Sequence, residues 1–151
     1  MSVEDNKVIA RRFWEAFNTG NLTAMDELFA ADYVHHASSG RVVRGSERVK
    51  RTIAEDRTGF PDLHFTIEDL FAEGDKVVVR LTARGTHQGT FSSPSGIGAN
   101  DLLRGLPPTG KQVTFNVVDI YRITGGKIVE GWRSWDRLGL HQQLGVVPVS
   151  R

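Results

Sequence analysis

The chain is predicted to fold as an α+β domain in which helices come first and long antiparallel strands follow. Two observations predict it. Apolar residues recur with a helical period from Ser2 to about Gly59, and from Leu63 onward the period becomes two. Two tight turn signals, Glu73-Gly74-Asp75 and Thr124-Gly125-Gly126, separate runs rich in β-branched residues. A strongly twisted sheet wrapped around one long helix closes a cone, and pockets form where a curved sheet meets covering helices.

The elements follow in order. From Ser2 to Asn18, Val8, Ile9, Phe13, Ala16 and Phe17 recur at three- and four-residue spacing. Ser2 suits the N-cap, and Glu4 and Asp5 suit the positive helix start. Asn18-Thr19-Gly20-Asn21 stops this helix, and Leu22–Phe29 reads as a second, short one. Asp32–His36 reads as a short strand. Gly45-Ser46-Glu47 opens a third helix with Val49 and Ile53 on its apolar stripe, ending at Gly59-Phe60-Pro61. Strands are expected at Leu63–Glu68, Lys76–Ala83, Lys111–Ile123 and Lys127–Trp135, and a last helix from Asp136 to Leu144. Residues 86–110 are rich in Gly, Ser and Pro without a sustained period. A loop this long is expected to be a lid, a dimer arm or disordered, and its Leu-Leu-Arg-Gly-Leu-Pro-Pro segment is apolar enough to be ordered.

A chain of 151 residues supports one core, and one domain over residues 1–151 is expected. Net charge is +1, from 19 basic and 18 acidic residues, and the basic ones are dispersed. That argues against nucleic acid or an anionic membrane as partner. The absence of cysteine excludes a thiol nucleophile, a disulfide and a thiolate metal site. No window approaches the roughly 20 apolar residues needed to span a bilayer, and the start lacks a signal-peptide pattern. A cytoplasmic protein is expected. The histidines show no metal-ligand spacing, so no metal site is expected.

Three stretches toward the C-terminus, LPPTGKQVTF, VDIYRITGGKIVEGW and WDRLGLHQQLG, carry a resemblance. With FWEAFNTGNLTAMDELFAADYVHH and the GSERVK to GTHQGTF segment, they resemble the SnoaL-like polyketide cyclase (ester cyclase-like) family. That family lies within the nuclear-transport-factor-2-like cone-fold superfamily. The resemblance implies a homodimer and an intramolecular aldol closure of an aromatic polyketide methyl ester, with no cofactor. Trp132, Asp136, Leu138, Gly139, Gln143, Leu144 and Gly145 occupy the pattern WxxxDxLGLxxQLG. Its aspartate is the acid/base of the founding cyclases, which gives that role to Asp136. Those cyclases also carry a Gln and a His on the strand that here holds Asp119, and neither is present.

Read from the residues, Asp136 is either the N-cap of the last helix or a base raised in pKa by apolar surroundings that include Trp132. On a regular strand Trp132 and Ser134 share a face with Asp136, while Arg133 and Trp135 point the other way. Only one of the adjacent His35 and His36 can face the interior, and His36 is taken as the second catalytic group. Trp14, Tyr33, Phe60, Phe65, Phe91, Phe115 and Trp132 are candidates to line a pocket for a hydrophobic, planar small molecule. Asp119, an acid in an apolar strand, is either a further pocket acid or the partner of Arg80, Arg84 or Arg122. Other readings stay open at this point. One is a ketosteroid-isomerase-like site with Tyr33 or Asp119 as oxyanion donor. Another is an epoxide-hydrolase-like Asp–Arg–Asp set, and the last is a non-catalytic, ligand-binding dimeric cone in which Asp136 only caps.

Overall fold

The structure, a computed structural model, describes residues 2–92 and 102–149. Helix α1 (Val3–Thr19) starts in a capping box: Ser2 Oγ accepts the Asp5 N–H, and the Asp5 carboxylate accepts the Ser2 N–H. Gly20, at φ 75°, ends it in the left-handed region. The expected second helix is a 3-10 turn (Leu22–Ala24) followed by α2 (Met25–Leu28). Strand β1 (Phe29–His36) then begins earlier than its polar start suggested. Strand β2 (Val42–Arg44) was not foreseen, since three residues carry no readable period. Helix α3 (Ser46–Gly59) precedes β3 (His64–Glu73), β4 (Lys76–Thr86), β5 (Gln112–Thr124), β6 (Lys127–Trp135) and α4 (Arg137–Gln143). β3 outruns its expected end because the register shifts between Ile67 and Asp69, a bulge that breaks the alternation.

The strands form one sheet in the order β2-β1-β6-β5-β4-β3. β1 and β6 are parallel and every other pair is antiparallel. Its concave face is read by alternation: Val77, Val79, Leu81 and Ala83 of β4 are buried, as are Val113, Phe115, Val117, Asp119, Tyr121 and Ile123 of β5. α1 lies against this face on β3 and β4, and α3 packs on β1. The aromatic seam of α1 holds them together, with Trp14 and Phe17 packed on Phe65 and Phe13 edge-on to Phe29 and Tyr121.

One part of the interior is solid. Phe60, His87 and Phe91 stack into a buried aromatic cluster, with the Phe91 ring occupying the space a side chain at Gly59 would need. His87 Nδ1 accepts the Thr109 N–H at 3.2 Å, and Leu103 is fully buried, so both flanks of the long loop are fixed. Its centre, residues 93–101, lies outside the described residues, and with it the expectation of a lid or dimer arm.

Candidate active site

The rest of the interior is open. A cavity of about 450 Å³ lies between the concave sheet, α1 and α3, within the size range of small-molecule sites. Its apolar walls come from Phe13 and Phe17 of α1, Phe29 of β1, Ile53 of α3, Phe65 of β3, Phe115 and Val117 of β5 and Trp135 of β6. The polar groups come from alternate positions of three strands: Tyr33 and His35, Asp119 and Tyr121, and Arg133.

Register explains how they meet. Asp119 and Arg133 are directly opposed across the antiparallel β5–β6 pair, and Tyr121 follows Asp119 on the same face. Arg133 donates from Nε to Asp119 Oδ1 and from Nη2 to Oδ2, each at 2.8 Å. Tyr121 donates its hydroxyl to Asp119 Oδ2 at 2.6 Å. Asp119 is therefore a satisfied buried anion rather than a spare acid. Burial opposes the charge on Arg133, but the Asp119 carboxylate outweighs it and holds the guanidinium protonated. Burial first, then the Asp119 charge, raises both tyrosines, so Tyr33 and Tyr121 stay neutral. The Arg133 guanidinium also lies over the Trp14 and Phe65 rings, 5.7 and 6.0 Å from their centroids.

Among the titratable groups that the strands bring to the cavity, His35 stands outside the Asp119–Arg133–Tyr121 cluster. Its Nδ1 lies 3.1 Å from the Tyr33 hydroxyl. Burial, helped by the positive charge of Arg133, pushes its pKa down to about 4, so the imidazole is neutral at pH 7. With Nδ1 engaged, Nε2 is the nitrogen available to a ligand.

The candidates named from sequence divide sharply. Tyr33, Phe65, Phe115 and Asp119 line the cavity. Trp14 does not; it is buried in the core beneath Arg133. Phe60 and Phe91 belong to the solid cluster around His87, not to the cavity wall. The inward turn expected of His36 is corrected: the alternation that puts Tyr33 inside puts His35 inside too. His36 instead lies on the opposite face, stacked on Trp132 at 5.2 Å and bonded to Glu130 at 2.7 Å. Trp132 is thereby removed from the wall as well, with the Arg122 guanidinium 5.9 Å from its ring centroid.

Asp136 follows the same parity: of its two readings the structure shows the cap, and it lies off the cavity wall. The phase along β6 is as read from the sequence, but Arg133 and Trp135 hold the inner side. Asp136 is exposed, accepts the Gly139 N–H at 2.9 Å and is the N-cap of α4. A Cβ at Gly139 would displace the Asp136 carboxylate from its capping position. The residues missed from sequence are His35, Arg133, Tyr121, Trp135 and the α3 face. Among the described residues no three His, Asp or Glu side chains converge on a metal-sized site, and no helix is long and apolar enough to cross a membrane.

Comparisons with known proteins agree with this architecture. The family profile described as SnoaL-like polyketide cyclase matches residues 7–144. Over 141 residues the chain is 27% identical to the aklanonic acid methyl ester cyclase DnrD of Streptomyces peucetius, covering 91% of this chain and 88% of that one. The crystal structure of AclR from Streptomyces galilaeus, described as a candidate hydroxylase, superposes with a TM-score of 0.82 at 28% identity, covering 99% of this chain and 87% of that one. That of IdmH from Streptomyces antibioticus, described as a candidate polyketide cyclase, gives a TM-score of 0.77 at 30% identity, covering 93% and 98%.

Proposed function

Since the chain belongs to the SnoaL-like polyketide cyclase family, we propose that it is an enzyme closing a ring by intramolecular aldol addition in a hydrophobic, carbonyl-rich small molecule. The observation that carries this reading is the aromatic-walled cavity in which a neutral His35 faces a fixed guanidinium, Arg133. An aldol closure needs a base at a carbon α to a carbonyl and positive charge near the oxygen that becomes anionic.

In the tautomer with its proton on Nδ1, given to the Tyr33 oxygen, His35 has a lone pair on Nε2. It takes the α-proton, and the electron pair moves onto the carbonyl oxygen as an enolate. Arg133 spends Nε and one Nη2 proton on Asp119 and keeps donors for that oxygen. The enolate carbon then attacks a second carbonyl of the same molecule, forming the C–C bond. The resulting alkoxide recovers the proton from His35, so no atom is gained or lost. A buried imidazole is a weakened base, but the imidazolium–enolate pair forms where little water screens it. Asp119 and Tyr121 position Arg133, and Asp136 holds the start of α4.

Aklanonic acid methyl ester is the test compound, because a relative is named for its cyclisation. The expected result is an isomeric product of unchanged mass and altered retention. His35→Phe should lower kcat/KM by roughly 100-fold or more, the usual contribution of a positioned base. Asp136→Asn, which retains a capping side chain, should lower it less than about threefold. If Asp136→Asn abolishes turnover while His35→Phe keeps it, the base is Asp136. No conversion by the wild type of either this ester or the corresponding free acid removes the reading.

A further inference from the structure

The mouth of the cavity has a charge pattern that an entirely neutral substrate does not use. Arg48 and Arg51 stand one turn apart on α3, Arg137 opens α4, and Arg41 follows β1 in the turn to β2; all of them line the same cavity. The protein as a whole is close to neutral, with 19 basic and 18 acidic residues. The concentration of cations at this opening is therefore local.

Among the described residues Arg48, Arg51 and Arg137 share the lack of an ion pair with surface arginines such as Arg44 and Arg84, but unlike those they line the cavity. Several other basic residues are paired. On α3 itself, Lys50 turns away and is held by Asp26 and Glu47, both at 2.7 Å. Arg12 pairs with Glu27, Arg80 with Asp69, Arg122 with Glu130, and Arg133 with Asp119. Among the described residues Arg48 and Arg51 take no carboxylate partner, and Arg137 only lies over the Trp135 ring, 5.5 Å from its centroid. Their helical spacing puts Arg48 and Arg51 on one face with Thr52, which also lines the cavity. Three acids also line the cavity: Asp56 and Asp119 are buried, Asp119 is already neutralised by Arg133, and the half-buried Glu55 offsets one of the four arginines.

We infer that the substrate carries an anionic group, a free carboxylate on its polycyclic body, which sits between Arg48, Arg51 and Arg137 while the apolar part fills the cavity. The inference rests on the cyclase reading of that cavity and specifies its substrate class. Guanidinium groups suit a carboxylate because two parallel N–H donors match its two oxygens. Half-exposed arginines also draw an anion toward the opening before contact. The relative DnrD is named for a methyl ester, in which that charge is masked. The rim would thus favour the acid over the ester.

Anthraquinone-2-carboxylate and its methyl ester serve as probes, with binding followed by quenching of tryptophan fluorescence at low and at physiological ionic strength. The acid should bind about tenfold more tightly than the ester at low salt, and the ratio should shrink as salt is added. Arg48→Ala/Arg51→Ala should bring the ratio near one. Lys76→Ala/Arg84→Ala, which removes equal charge from the outer face of β4, should leave it in place. Equal affinity for the two probes, or a preference that survives the Arg48/Arg51 double substitution, overturns the inference. Turnover of aklanonic acid methyl ester and of the corresponding free acid is read separately. A missing acid preference with intact turnover of either compound fails the inference alone, and an intact preference with neither compound turned over fails the cyclase reading alone. If neither probe binds, the proposed occupant of the cavity is wrong.

Discussion

β1 and β6 lie side by side in parallel, with His35 opposite Gly131 and His36 opposite Trp132, and their two faces use the same kinds of residue to opposite ends. On the inner face Tyr33, His35 and Arg133 line the cavity together with Asp119, and Tyr33 and Asp119 are almost fully enclosed. The outer face carries a histidine, an acid and an aromatic as well, His36, Glu130 and Trp132, but His36 and Glu130 each keep about a third of their side-chain surface in solvent. Charge and hydrogen bonding act weakly there, because water competes for every group. One residue of shift along a strand therefore separates an imidazole in the cavity wall from a surface one.

The largest effect should come from breaking an ion pair on each face. Asp119→Ala leaves Arg133 charged, three-quarters buried and unpaired, which costs up to about 3 kcal/mol, the low end for a broken buried pair. Glu130→Ala, removing the anchor of His36 and of Arg122, should cost no more than about 1 kcal/mol. Urea denaturation of both variants measures the difference. Equal losses would mean that the inner face is as wet as the outer one, and the contrast drawn here would fail.

The pH dependence of stability sharpens the same contrast. His35 has an unfolded pKa of 6.5 and a folded value of about 4. Above pH 6.5 it is neutral in both states and makes no difference. Between 6.5 and 4 the unfolded chain binds a proton that the native one refuses, so stability falls as pH falls. Between pH 6.5 and pH 5 the loss from His35 is about 2 kcal/mol. Burial lowers His87 and His141 as well, adding slope of the same sign. His35→Phe should flatten the curve by its own share, as read from denaturation midpoints at pH 7 and pH 5. An unchanged slope would place His35 in solvent.

Much of this was legible in the sequence, and the errors have a common cause. Periodicity found α1, α3, the four long strands and both glycine turns, because those elements have one wet and one dry face. It missed β2, and it could not see the β3 bulge, where the period itself breaks. In the site, Tyr33 and His36 could not both face inward, since they are an odd number of residues apart; accepting Tyr33 already implied His35. The parity of Trp132, Ser134 and Asp136 was read correctly, yet which parity faced the cavity was decided by Asp119. Its need for a cross-strand cation selects Arg133 for the inside. Alternation gives relative phase, and only the partner across the sheet gives its sign. The cluster of Phe60, His87 and Phe91 joins residues up to 31 positions apart through packing that no local pattern encodes.

The smallest expected effect concerns Asp136, whose exposed carboxylate ties down the first turn of α4. Loss of an N-cap costs about 1 kcal/mol, and another capping side chain restores most of it. Asp136→Ala should therefore destabilise the protein by that amount, whereas Asp136→Ser should come within a few tenths of the wild type. Gly139→Ala acts on the same bond from the other side, because its methyl group would displace the carboxylate that caps it. Thermal denaturation of the three variants tests the assignment. If Asp136→Ala proves neutral, the carboxylate has a role other than capping, and the outer-face position assigned to it is wrong. If serine rescues stability while turnover also holds, the contribution of Asp136 is the geometry of α4, which carries Arg137 to the cavity mouth.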